Sequence, residues 1–140
     1  MATIPQKVQD STPASELLEP GWYPLMIVNT EVKKTKAGDG EYLNVQQIVA
    51  DGEQKGFTVW SIINWDNPNQ MAQDIAIRQW HNLRQVVEES LDSEIEDTEE
   101  MHGTIIEGLI GIQKSKNPQY EDKNIVKKWR VLQTEVSEEI

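Results

Sequence analysis

Residues 36–65, KAGDGEYLNVQQIVADGEQKGFTVWSIINW, decide the fold. In Glu41–Ala50, Tyr42, Asn44 and Gln46 fall on one face and Leu43, Val45 and Val49 on the other, which is the period of two of a half-buried strand. Gly56–Trp65 sets Phe57, Val59 and Ile63 opposite Trp60 and reads as a second strand. Each run follows a turn: Lys36–Gly40, with two glycines around Asp39 to supply positive φ, and the stretch that begins at Asp51-Gly52. Two strands joined by short turns make an antiparallel pair.

Outward from this pair, Trp22–Val32 (WYPLMIVNTEV) is aromatic and β-branched and adds a strand on the N-terminal side, with Pro24 marking an edge or a bulge near its start. On the C-terminal side Asn67-Pro68-Asn69 caps a helix that runs from Gln70 to about Val87, because Ala72, Ala76, Trp80, Leu83 and Val87 recur at helical spacing. Thr104–Ile112 and Asn124–Leu132 read as strands four and five, joined by KSKNPQYEDK. The order strand, strand, strand, helix, strand, strand is that of an OB-fold. The expectation is a mainly β, five-stranded OB-like barrel over residues 20–133 with one helix between strands three and four. A flexible arm is expected over residues 1–19, with a turn near Ser15–Leu18, and an acidic tail over residues 134–140.

A chain of 140 residues can bury one core, and with 37% hydrophobic and 26% charged residues it reads as a single domain with polar ends. No apolar run approaches the roughly 18 residues of a membrane span, and MATIPQKVQD lacks a secretory pattern, so the expected place is the cytoplasm with no membrane partner. The absence of cysteine excludes disulfides, thiol nucleophiles and thiolate metal sites. With His81 and His102 as its two histidines, the chain offers little to zinc, and no metal or cofactor is expected. Neither GxxxxGK[ST], GxSxG nor HExxH occurs, and acids in an uninterrupted run are usually a solvated face, so no catalytic residue is assigned and an enzyme is not expected.

The net charge of −11 speaks against a polyanionic partner until its distribution is read. Eight acids lie between Glu88 and Glu100 with no Lys or Arg among them; residues 1–20 carry −2 and the last six −3, which leaves the rest of the chain at +2. Nine of the 13 basic residues fall in two places, Lys33, Lys34 and Lys36, and Lys114, Lys116, Lys123, Lys127, Lys128 and Arg130. In an OB-fold these are the loops, one to two and four to five, that flank the oligonucleotide-binding face. Stacking platforms are also available, and single-stranded nucleic acid needs both cations and flat side chains. Tyr42 and Trp60 stand opposite the aliphatic rows of strands two and three, Tyr120 lies among the loop lysines, and Asn44 could reach base edges or sugars. Whether Trp60 faces the ligand or packs away, and whether Trp129 or its neighbours Lys128 and Arg130 turn inward, both stay open at this level. Trp22, Tyr23, Phe57 and Trp80 read as structural.

The strings PGWY (20–23), KTKAGDGEYLNV (34–45), DGEQKG (51–56) and NWDNPN (64–69) resemble an uncharacterised family of tailed-phage proteins that is similar to phage single-stranded-DNA-binding proteins. That resemblance, from about Pro20 to Leu132, implies a non-catalytic protein that holds single-stranded DNA with little sequence preference, during DNA replication or recombination in an infected bacterial cell. The final residues EVSEEI, with Glu138, Glu139 and Ile140, resemble the acidic tips by which many single-stranded-DNA-binding proteins recruit replication or recombination partners, although Ile140 stands where an aromatic commonly ends such tips. A homo-oligomer is compatible with the sequence. The rival expectation is an acidic adaptor or a DNA mimic that occupies the DNA site of a host nuclease or recombinase, with the charge of −11 itself as the functional feature.

Overall fold

In the computed structural model, which describes residues 17–117, 119 and 121–133, the strands are β1 (Gly21–Lys34), β2 (Glu41–Val49), β3 (Thr58–Asp66), β4 (Ile105–Gln113) and β5 (Lys123–Arg130). The helix α1, Gln70–Leu91, follows β3, and a short 3-10 turn at Thr98–Met101 precedes β4. All pairings are antiparallel and the lateral order is β3-β2-β1-β4-β5. The turns expected from sequence join the first three strands. Gly38 takes φ +76° in the first, and Gly56 N–H closes the second on the Val49 carbonyl at 2.8 Å.

β1 is the central strand because it serves two partners in succession. Gly21–Met26 pairs with β4 and Leu25–Lys34 with β2, with a register shift between Ile27 and Asn29. Pro24 is tolerated in this central strand because its carbonyl accepts from Ala50 N–H (2.8 Å) just beyond the β2 ladder, so the side that lacks an N–H faces the ladder's end. Inward-facing Leu25, Ile27, Leu43, Val45, Ile63, Ile106 and Ile110 are all buried. Gly108 lies between them with its hydrogen toward Leu25 and Val126, where a Cβ would collide with the Leu25 side chain. α1 closes the inner face with Ala76, Leu83, Val86 and Val87. It starts where Asn69 Oδ1 accepts from Ala72 N–H (3.1 Å), as the Asn-Pro-Asn cap predicts. Leu18, which the sequence reading leaves in the arm, is buried in this core. Residues 1–16, and with them most of the expected arm, lie outside the described residues, as does the tail from 134 onward.

The expected OB barrel does not close. β3 and β5 are the two edges of the sheet and share no ladder, whereas a barrel requires every strand to be hydrogen-bonded on both sides. At Trp129 the backbone groups that β5 would offer β3 are already taken. Asn82 of α1 accepts from Trp129 N–H (2.9 Å) and donates to the Trp129 carbonyl (3.2 Å). Further along, Asn124 holds both backbone groups of Leu18, accepting from its N–H at 2.8 Å and donating to its carbonyl at 2.9 Å. What joins the two edges is a line of side chains: Trp129 Nε1 donates to Gln47 Oε1 (2.8 Å), and Gln47 Nε2 donates to Ser61 Oγ (3.0 Å).

Gln47 is fully buried, so an unpaired amide oxygen there would bear its whole desolvation cost. Trp129→Phe keeps an aromatic ring and deletes the donor. It should destabilise the domain by about 1–3 kcal/mol, read as a lower urea midpoint at unchanged slope. A midpoint equal to that of the parent protein would remove the bond from the stability of the core.

Candidate nucleic-acid interface

Between the two sheet edges runs a cleft of about 600 Å³, lined by Thr58–Asn64 of β3 with Phe57 before it, by Lys123–Val126 and Trp129 of β5 with Asp122 before it, and by Leu17, Gln79 and Gln113. Its walls differ in chemistry. On β3, the inward residues Val59, Ser61 and Ile63 are buried, while Trp60 (49% exposed) and Ile62 (52%) stand on the outer face. No residue from Thr58 to Trp65 carries charge. Edge strands are usually shielded by lysine or proline, and this one is not.

β5 is its opposite. The β4–β5 register shifts between Leu109 and Ile110, where Lys128 and Val126 are the successive partners, so Lys127 is an extra residue in the strand. The extra residue resolves the alternation that the sequence left open. Val126 and Trp129 both turn into the core, while Lys127 and Lys128 are both exposed on the outer side. Gly111 makes room for this, since a Cβ there would collide with the Lys127 side chain. Lys123 lines the cleft, and Lys127, Lys128 and Arg130 continue the cationic row. Among the described residues the ion pairs are Lys33–Glu31, Arg84–Glu88, Lys114–Asp122 and Arg130–Glu107, so Lys123, Lys127 and Lys128 are in none. Asp122 is the carboxylate that lines the cleft, and it is engaged. The Ser115 N–H bond (2.9 Å), with Lys114 beside it, holds its carboxyl below the usual aspartate value.

The remaining candidates are spread around this cleft. Lys114, Lys116 and Lys123 border a second hollow of about 500 Å³ with Gln113, Ser115 and Glu121. Tyr42 and Asn44 are half-buried on the outer face of β2, where Tyr42 is opposite Lys33, and Asn44 is opposite Ile62 on one side and Glu31 on the other. Lys33 and Lys34 end β1 and Lys36 lies in the turn after it, and none of the three borders the cleft. Tyr120, Glu138, Glu139 and Ile140 lie outside the described residues. Sequence reasoning missed Ile62 and Gln47. The parity of β2 was the available signal for Gln47, because counting by twos from Leu43 places it inward.

The acid-rich segment is folded back on itself. Glu88 Oε2 accepts from Ile95 N–H (2.9 Å) and from Arg84 Nε (3.1 Å). Glu100 accepts from the N–H groups of Glu96 (2.7 Å) and Asp97 (2.8 Å), and Asp97 from Glu99 (2.8 Å), which makes a capping box for the 3-10 turn. Ile95 and Met101 anchor the segment in the core. Among the described residues no group of three or more histidines, cysteines or carboxylates is placed to hold a metal ion, and no helix is long and apolar enough to cross a membrane.

An open antiparallel sheet, with an edge strand uncharged from Thr58 to Trp65 on one side of its seam and a lysine-bearing edge strand on the other, defines the class. The chain belongs to the family described as Protein of unknown function (DUF669), whose model matches residues 6–138. No curated protein matches it. The family's description names neither a phage nor DNA, so the phage and DNA identities expected from the sequence find no support there.

Glu88 generates a pH dependence with a defined sign. The Ile95 N–H bond foremost, helped by Arg84, holds its carboxyl below the ordinary glutamate value of 4.5. The stability it contributes is therefore complete above that value and is lost as pH falls through the depressed one. Glu88→Gln should lower Tm near neutral pH and flatten the acid limb of a Tm-versus-pH curve. Parallel acid limbs for the two proteins would count against the bond.

Proposed function

We propose that the chain binds single-stranded nucleic acid, DNA in the first instance, along the seam between β3 and β5, without catalysis and with little sequence preference. The observation that carries the reading is the division of labour about the cleft: exposed Trp60 beside Ile62 on one wall, Lys123 on the other, and Lys127 and Lys128 continuing beyond it along the outer side of β5, with none of these lysines in an ion pair among the described residues. A flexible strand needs that pairing, since its phosphates follow cations while its bases stack on aromatic faces without regard to identity. A duplex holds its bases inside and could use the cations alone. The acidic segment speaks for the same reading over the adaptor or DNA mimic, because the carboxylates of Glu88, Asp97 and Glu100 are turned to its own backbone. Tyr42, Asn44, Lys33, Lys34 and Lys36 extend the surface across β2 and the first turn. The reading places the chain in the cytoplasm of a bacterial cell, where replication and recombination expose single strands.

The test is titration of a labelled oligo(dT) by fluorescence anisotropy over a salt series. Affinity should fall steeply as salt rises, since each phosphate contact on a single strand contributes roughly 0.7 to the slope of log K against log salt. Trp60→Ala should cost about 1–3 kcal/mol of binding if a base stacks there. Reversing Lys123, Lys127 and Lys128 to Glu should weaken binding more than reversing Lys33, Lys34 and Lys36, because Lys123 lines the cleft and β5 is one of its walls, whereas β1 and the turn after it are not. Absence of binding at low salt would defeat the reading, and equal affinities for Trp60→Ala and the parent would remove stacking from it.

A further inference from the structure

We infer that Arg130 is a phosphate clamp at the far end of the β5 cation row, with Trp22 and Glu107 as its positioning residues; the inference rests on the nucleic-acid reading. The guanidinium carbon of Arg130 lies 3.9 Å from the centre of the Trp22 ring. Its Nε donates to Glu107 Oε1 at 2.6 Å, and the Glu107 side chain is only 13% exposed. Three strands build this arrangement through their register, for Glu107 is opposite Arg130, while Leu109 is opposite both Lys128 and Trp22. The Lys128 ammonium lies 5.9 Å from the same ring centre.

An arginine on an open surface ordinarily loses much rotamer freedom when it binds. Here the ring beneath and the carboxylate beside the guanidinium fix its plane in advance, so that cost falls on folding and not on binding. Only Nε is consumed. Among the described residues no hydrogen bond uses the two terminal nitrogens, and the side chain remains 42% exposed. Those two nitrogens form the planar fork that matches two oxygens of one phosphate. Glu107 cancels one charge locally, yet Lys127 and Lys128 beside Arg130 keep the patch cationic. The bound strand therefore follows the outer side of β5 from Lys123 to Arg130, and does not end at the cleft.

The salt slope separates a clamp from a merely structural stack. With the full chain and labelled oligo(dT), Arg130→Gln should lower the slope by about 0.7, the contribution of one phosphate contact. Trp22→Leu alters no charge, and should lower the slope by a similar amount because the guanidinium is no longer held. Trp22→Phe keeps an aromatic face and should keep the slope. Equal slopes for Arg130→Gln and the parent, in a series where Trp60→Ala weakens binding, would overturn the clamp and leave the reading intact. A parent protein that fails to bind would end both. A lowered slope for Arg130→Gln with an unchanged slope for Trp22→Leu would overturn the positioning role. If Trp22→Leu melts below the assay temperature, Trp22→Phe and Arg130→Gln decide: loss of slope in both overturns the claim that an aromatic face suffices.

Discussion

The hydrogen-bonded line Trp129–Gln47–Ser61 is what the rest of the molecule depends on. It crosses from β5 to β2 to β3 inside a core that is otherwise mostly apolar, and its central amide has no access to water. In that setting each bond is strong and each vacancy is costly, so the three side chains hold one geometry. The consequence at β5 is that Trp129 must point inward. With Val126 also inward and two residues between them, the strand needs an extra residue, and Lys127 supplies it. Two successive lysines are thereby placed on the outer side of β5, where the Lys127 side chain lies against Gly111 of β4 and the Lys128 ammonium lies 5.9 Å from the Trp22 ring centre. This outer pair of lysines is thus a by-product of burying a tryptophan.

The backbone of the same tryptophan bears on the open seam. β3 and β5 could satisfy their edge groups by pairing, but Asn82 already occupies both backbone groups of Trp129 and Asn124 holds Leu18 in place. At Trp129 a helix side chain does for β5 what a neighbouring strand would otherwise do. β3 has no such cover in its charge pattern, and its apolar outer residues stand at the border of the cleft.

Much of this architecture was legible in the sequence, and the failures have identifiable causes. Periods of two and of 3.6 located the five strands and the helix, because each half-buried element must alternate with its burial. Gly38 and Asn69 marked a turn and a cap because few other residues meet those backbone demands. Barrel closure was not legible, since it turns on which backbone groups remain free, and Asn82 on the helix carries no local sign that it will take two of them. Nor was the Lys127 shift, because an extra residue in a strand changes register without changing composition. Trp22 reads as an ordinary strand aromatic. Its partner Arg130 lies almost the whole domain away in sequence, and only the ladder β1–β4–β5 brings them together.

Charge presents the same lesson in another form. A total of −11 describes the chain at long range, where it would repel a polyanion, but screening cuts that range to about 8–10 Å at ordinary ionic strength. Inside that distance what matters is which carboxylates face the seam. Glu88, Asp97 and Glu100 spend their lone pairs on the backbone of their own segment, Asp122 on Ser115 and Lys114, and Glu107 on Arg130. Each of these bonds turns an acid into a structural part and leaves the local field to the lysines that, among the described residues, are in no ion pair. An acidic chain can thus present a cationic surface at contact range where its acids are used as they stand, as Glu88, Asp97 and Glu100 are in the segment after α1.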